Sequence, residues 1–498
     1  MPVPPARSQS LGLKALLSAG AAALLAGCAA GPAPEIATPA PDLPAQFLYS
    51  PDEATRGELD QLLPRDDAAF VELAGAALER APSLGEALAR LDAARAGADR
   101  AGAERLPNIG IDAGVTNSRT NPAQFGPDNP FTQAIDTTQT AYGANLSASW
   151  DADLFGALRA QERAALARID AANASAAAVR IALLGEIAAS VIDWRALEAR
   201  TASIENDVAA ATQLAELART REEAGIAPGF DRVRAEAAAS ASRSRLAALG
   251  SERVRLVGRL ITLTGLPAAQ VRAALDQAAP MTGTHLAPAI ATPAPPAGLP
   301  SDLLANRPDV IAAAAQLAAS DAQLAATARS RFPRLTLSAV LGLLAFDPED
   351  LFDDGSAVRT LTAGIAAPLI DFGRIAADID GAAADKQAAF EAYRGAVFQA
   401  LGDAEAAYGL IAASDNEAAM AAAERDTLER AARLANDRYR AGLASFLEVL
   451  EARRAADSSG ERAAAALGRA ARARIVLWQA LGGDAPQAIA ANAAADQD

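Results

Sequence analysis

Apolar residues along this chain follow two different periods, and the switch between them lays out the architecture. Residues 157–224 and 373–440 contain no proline, and their apolar positions recur at alternating steps of three and four. Leu184, Ile187, Val191 and Trp194 keep that spacing, and Leu401, Ala404, Tyr408 and Ile411 keep it in the second segment. A sustained period near 3.5 specifies supercoiled helices rather than a single globular core. At about 1.5 Å per residue each segment makes a helix of roughly 100 Å, far beyond the usual globular length. The helix after the first of them carries Leu246, Leu249, Leu256, Leu260 and Leu263 on the same steps. Arg253 stands at the one position there where another apolar residue is due.

Ahead of each long helix the period drops to two. Residues 108–118 return through 141–150 across a turn region rich in Pro, Asn and Gly. Residues 335–345 return through 359–369 across the acidic loop 347–354. On the first return strand Tyr142, Leu146 and Trp150 share one face, and Ala141, Gly143, Asn145 and Ser147 the other. Tilted strands of about ten residues fit a bilayer, although a soluble hairpin carries a similar pattern. Closed barrels begin near about eight strands, and an open sheet edge is not tolerated in hydrocarbon. Four strands that span a membrane must therefore be completed by other subunits.

The second half of the chain restates the first. Leu106-Pro107-Asn108-Ile109 returns as Phe332-Pro333-Arg334-Leu335, and Asp153-Leu154-Phe155-Gly156 returns as Ile370-Asp371-Phe372-Gly373. Ala224-Gly225-Ile226 returns as Ala441-Gly442-Leu443, and Leu263-Thr264-Gly265 as Ala480-Leu481-Gly482. Gly156 and Gly373 stand where strand passes into helix. Gly225 and Gly442 stand where two long helices reverse. The period is too long for a solenoid, so one large unit is duplicated.

Composition adds compartment and partners. The net charge of −16 argues against nucleic acid, which calls for clustered Lys and Arg. Arg7 and Lys14 precede the largely apolar run 15–26, which ends in Leu25-Ala26-Gly27-Cys28. That is a targeting segment. It resembles the lipobox of bacterial lipoproteins, which implies cleavage before Cys28 and a lipid-bearing thiol there. An ordinary signal peptide or a short membrane anchor with an incidental Cys is the alternative. Several acyl chains make a stable anchor, and Ala29 rather than Asp after the Cys implies, by the same resemblance, sorting to the outer membrane. Cys28 is the only cysteine, so no disulfide framework exists. No mature apolar run reaches about 18 residues without Pro or charge, so any membrane crossing is expected through strands.

With lipobox, duplication, hairpins and long helices together, the chain resembles the TolC-like outer-membrane efflux protein family. It is most similar to the lipoprotein subgroup called NodT-type. The most specific piece is Leu303-Leu304-Ala305-Asn306-Arg307-Pro308-Asp309-Val310, which resembles the signature opening that subgroup's second repeat. Ala314 departs from the acidic residue the family usually carries. The implied fold is mainly α with a transmembrane β element: long coiled-coil helices forming an α-barrel, plus four strands per chain in a trimeric 12-stranded β-barrel.

These signals divide the chain into a signal peptide over 1–27, a lipid-anchored and equatorial segment over 28–65, and a first repeat over 66–280. That repeat holds a hairpin over 108–150 and helices over 157–224 and 229–265. A Pro-rich linker covers 281–300. The second repeat, 301–482, holds a hairpin over 335–369 and helices over 373–440 and 444–481, and 483–498 form a flexible tail.

The resemblance implies a homotrimer in the outer membrane, held by lipid at Cys28 and reaching into the periplasm. It further implies a periplasmic adaptor protein and an inner-membrane pump as partners. By the same resemblance Tyr439, Leu447, Glu451 and Arg454 form a periplasmic gate, with Glu451 a lumen-facing acid, Arg454 its basic partner, Tyr439 a constricting aromatic and Leu447 an apolar ring. An exposed helix with Glu451 and Arg454 as an i,i+3 pair is the plainer alternative. The expected function is passive conduction of small molecules, such as drugs and toxic compounds, from pump and adaptor to the exterior. A type I protein secretion duct is the rival reading, and a non-channel periplasmic lipoprotein a weaker one. Catalysis is not expected. The only histidine, His285, lies in the Pro-rich linker without a Cys or second His, so no metal site and no cofactor is expected.

Overall fold

The computed structural model describes residues 35–50, 59–121, 138–277, 295–296 and 298–483. The signal peptide, Cys28, His285, most of the Pro-rich linker and the tail from 484 lie outside the described residues. Helices α1 (Ala68–Arg80) and α2 (Pro82–Ala103) lead into strands β1 (Asn108–Arg119) and β2 (Thr138–Ala152). Then follow α3 (Ala157–Glu223), α4 (Gly229–Thr264), α5 (Ala268–Leu275), α6 (Asp302–Asn306) and α7 (Pro308–Ala328). Strands β3 (Arg334–Ala345) and β4 (Ala357–Ala366) precede α8 (Arg374–Arg440) and α9 (Phe446–Ala480). The two long helices are of equal length, 67 residues each.

Packing gathers the chain into two compact units that cross the sequence repeat. Among the described residues, one takes those of Asp92–Asp170 and Ala315–Glu391 with 35–39, the other those of Ala40–Leu91, Ala171–Ala314 and 392–483. Each therefore draws on both halves of the sequence.

The first unit is built around one antiparallel sheet in the order β1-β2-β3-β4. Its register pairs Ile111 with Leu146, Leu146 with Leu341, and Leu341 with Arg359. Directly paired residues share a face, and successive residues alternate faces. One face thus collects Ile109, Ile111 and Val115, then Tyr142, Leu146 and Trp150, then Leu335, Leu337, Leu341 and Leu343, then Leu361 and Ile365, with Asn117, Thr140 and Arg359 at its end nearest the β1–β2 and β3–β4 connections. The other collects Asp112, Thr116, Asn145, Ser147, Thr336, Ser338, Thr360 and Thr362. Strand β4 stops at Ala366, three residues short of the period-two pattern, because Pro368 has no N–H to continue the ladder. The acidic loop is not irregular throughout. It holds two short 3₁₀ turns, Pro348–Phe352 and Asp354–Ser356, and Ser356 Oγ donates to the carbonyls of Leu351 and Asp353.

Both strand-to-helix junctions use the same device. The N–H groups of Leu158 and Arg159 donate to the Asp153 carboxylate at 3.1 and 2.9 Å, and those of Gly373 and Ile375 to Asp371 at 3.2 and 2.7 Å. These side chains satisfy helix N-termini that have no earlier turn to bond to. The Ile375 and Gly373 donors hold the Asp371 carboxyl below the usual carboxylate range. Gly156 and Gly373 turn the chain at φ of 77° and 87°.

The second unit holds the main core. Leu184, Ile187, Val191 and Trp194 and their counterparts Ala404, Tyr408 and Ile411 are all buried in it, with Leu401 packed against them. Arg253, the break in the α4 seam, lies over the Trp194 ring at 5.9 Å and donates to Thr201 Oγ1. Its charge is spent on an aromatic face inside the seam. A stretch of α3 is apolar enough, by length and composition, to cross a membrane if two charges are admitted, contrary to the stricter expectation from unbroken runs. Most of that stretch is buried within the chain.

Two buried arginines pin this unit. Arg195 donates to both Asp67 oxygens at 2.8 and 3.0 Å and to the carbonyls of Leu275 and Gln277. Arg307, from the signature string, holds Asp309 at 2.9 and 2.6 Å, Asp403 at 3.0 Å and the Ala480 carbonyl at 3.1 Å. Arg307 keeps the Asp309 carboxyl below its ordinary pKa against the opposing effect of burial. The signature thus does more than cap a helix, since it links α7, α8 and the end of α9.

Candidate functional site

Two features of the folded chain can carry transport. The first is the sheet. The large apolar side chains of one face stand in solvent in the isolated chain: Ile111 is 84% exposed, Leu361 84% and Ile365 73%. Contiguous exposure on this scale marks a surface that belongs against another apolar phase. The opposite face is mostly hydroxyl, amide and Gly with the carboxylates of Asp112 and Asp151, Asn145 Nδ2 donating to Asp112 at 3.0 Å and Thr336 Oγ1 to Asp151 at 2.7 Å. Among the described residues strands β1 and β4 are paired on one side only, so both sheet edges are open. Apolar outside, polar inside and unclosed edges are what a segment of a larger transmembrane barrel needs.

The second feature is the pair of helical hairpin turns. At the first, Gly225 N–H donates to the Glu222 carbonyl and Ile226 N–H to that of Arg221. At the second, Gly442 N–H donates to Tyr439 and Leu443 N–H to Arg438 in the same pattern. The motif needs a left-handed residue at its apex, which glycine supplies at φ of 70° and 77°. Ser445 then caps α9, accepting from the Glu448 N–H.

The four gate candidates are placed unequally. Tyr439 is 4% exposed and sits inside a small core with Leu214, Phe446, Val449 and Leu450. Arg221 covers its ring at 4.5 Å, and Phe446 meets it edge-on at 6.0 Å. Burial pushes the Tyr439 hydroxyl pKa up. In the single chain it is therefore packing that joins the two hairpins and not a surface aromatic. Leu447, Glu451 and Arg454 are exposed and lie at i, i+4 and i+7 on one stripe of α9, opposite its buried residues. Among the described residues Glu451 and Arg454 make no ion pair with one another. The paired base is the next one along. Arg453 reaches Asp207 at 3.1 Å and Asp457 at 2.7 Å. Sequence reasoning missed Arg453, because its partner Asp207 lies on α3, 246 positions away. Among the described residues no cluster of His, Cys, Asp and Glu could hold a metal ion.

The outer membrane efflux protein family matches residues 73–266 and 299–483. The pyoverdine export outer membrane protein OpmQ of Pseudomonas aeruginosa is 30% identical over 429 residues, covering 86% of this chain and 85% of that protein. The toluene efflux pump outer membrane protein TtgI of Pseudomonas putida is 28% identical over 487 residues, covering 95% and 98%. Among solved structures, the outer-membrane channel OprN superposes with a TM-score of 0.80 at 26% identity, over 91% of this chain and 99% of that one.

Proposed function

The chain belongs to the outer membrane efflux protein family and is the outer-membrane channel component of an efflux system, and from that premise we propose how it works. Three copies close the sheet into a 12-stranded barrel, and a periplasmic adaptor and an inner-membrane pump feed it. Small molecules pass through without chemical change, and energy coupling resides in the pump. The observation that carries this reading is the sheet with one apolar face, one polar face and two open edges, which a single chain cannot bury. Pyoverdine export and toluene efflux, named for the relatives, support small solutes as cargo.

Cys28 carries the lipid that anchors the N-terminus in the outer membrane. The Leu447, Glu451 and Arg454 stripe lines the periplasmic entrance, with Tyr439 fixing its position from within. Three copies of Glu451 around an axis attract cations and repel each other, so this ring governs closure.

Accumulation of dyes and antibiotics in a deletion strain, measured beside its secreted proteins, tests the cargo. Efflux predicts raised accumulation with an unchanged secretome. Normal accumulation with one exported protein missing would make the chain a secretion duct instead.

A further inference from the structure

An arginine-rich cavity of about 550 Å³ opens where the strands give way to helices. Arg105 beyond α2, Arg159 and Arg163 from the first turns of α3, and Arg329 beyond α7 line it, with Glu162 the one acid among the lining residues. Glu162 is engaged by Arg105. The nearby Asp153 is engaged by backbone N–H groups of α3. Arg329 donates to the neutral Ala325 carbonyl at 2.8 Å and forms no ion pair among the described residues. Arg159 and Arg163 are exposed and have no acidic partner among the described residues. On a chain of net charge −16 this gathering of like charge runs against the overall field. A bound anion stabilises a gathering of like positive charge in general, and guanidinium forks match phosphate oxygens.

The rim identifies which anion. Leu154 is 67% exposed and Phe155 44% exposed, and Phe155 stacks on Phe332 at 4.9 Å. Trp150, on the apolar face of the sheet, donates its indole N–H to the Arg105 carbonyl at 2.8 Å. That bond ties the arginines to the bilayer-facing side rather than the polar face. Trp at the edge of an apolar band marks a membrane interface, and basic pockets at that depth take lipid headgroups.

We propose that this cavity binds the phosphate of an anionic phospholipid, with the acyl chains lying along Leu154 and Phe155. The inference rests on the channel reading, which sets the sheet in the membrane. It places a lipid as a wedge between the barrel strands and the first turns of α3.

The test uses the full-length protein purified in detergent as its assembled oligomer, with native mass spectrometry as readout. The probes are dioleoylphosphatidylglycerol, dioleoylphosphatidylcholine and inorganic phosphate. Wild type is expected to retain phosphatidylglycerol in preference to the zwitterionic lipid. The R159Q/R163Q variant should weaken that retention roughly thirtyfold, at about a factor of five per basic group near a membrane surface. R159K/R163K, which keeps the charge, should retain the lipid to within roughly tenfold. Equal retention by R159Q/R163Q and wild type overturns the proposal. So does displacement of the lipid by equimolar inorganic phosphate, which would make the cavity a site for soluble anions. The same preparations are assayed for conductance in planar bilayers. A sample that conducts but retains no phosphatidylglycerol refutes this site alone, whereas one that never conducts refutes the channel reading.

Discussion

At the residue scale, the most consequential group that sequence did not single out is Asp207. It faces Asp457 across α3 and α9, both side chains are almost fully buried, and Arg453 and Arg245 approach the pair. Burial first, and the Asp457 charge second, push the Asp207 carboxyl up to about 7, while Arg453 and Arg245 oppose the shift. Arg453 lies 3.1 Å from Asp207 and 2.7 Å from Asp457, between the two acids. A folded-state pKa above the unfolded value means the native state binds the proton more tightly. The associated stability is therefore full below about pH 4 and is lost as pH rises toward about 7. Melting in detergent between pH 5 and pH 8 should show wild type losing several degrees relative to Asp207→Asn, whose curve lacks this contribution. Equal pH slopes for the two proteins would show that no proton is held there. None of this was legible beforehand, because two acids 250 positions apart announce themselves only when the helices pack. The lone seam break at Arg253 was visible in sequence, but its partner, the Trp194 ring, was not.

At the scale of elements, the strands and helices were largely readable, since each period states which face is buried. The ends were less so. β4 stops early at Pro368, and α8 begins only after the left-handed Phe372 and Gly373. The faces of the sheet make a sharp prediction on neighbouring residues. Leu361→Arg puts a charge at mid-strand on the apolar face and should cost about 2–4 kcal/mol, seen as reduced assembled protein in the outer membrane. Thr360→Arg, one residue earlier on the polar face, should assemble normally and alter ion selectivity. Equal assembly of both variants would mean that face is not in lipid. At the helical turns, Glu451→Ala with Arg454→Ala should raise single-channel conductance, because both side chains are exposed on one stripe. Unchanged conductance would remove them from the gate. Family resemblance pointed to this stretch, but it could not tell that Tyr439 lies inside and that Arg453 rather than Arg454 does the pairing. Those facts depend on how the two hairpins pack.

For the whole molecule, duplication was plain in the sequence, while the way the chain packs was not. The two compact units each combine both repeats, so neither repeat is a self-sufficient body. That is consistent with a core in which Trp194 from the first copy and Trp478 from the second are both fully buried. The fold leaves one demand unmet within a single chain, namely the open edges of β1 and β4 beside an apolar face. Assembly answers it, and the number of chains follows from the family rather than from any spacing in this sequence. The central claim is therefore that the protein conducts only as an oligomer closed through its sheets. Purified full-length protein, run on gels with and without heating and then reconstituted into planar bilayers, tests this most directly. The account predicts a heat-sensitive trimer that opens discrete conductance steps. A monomer that inserts no conducting pore would contradict it.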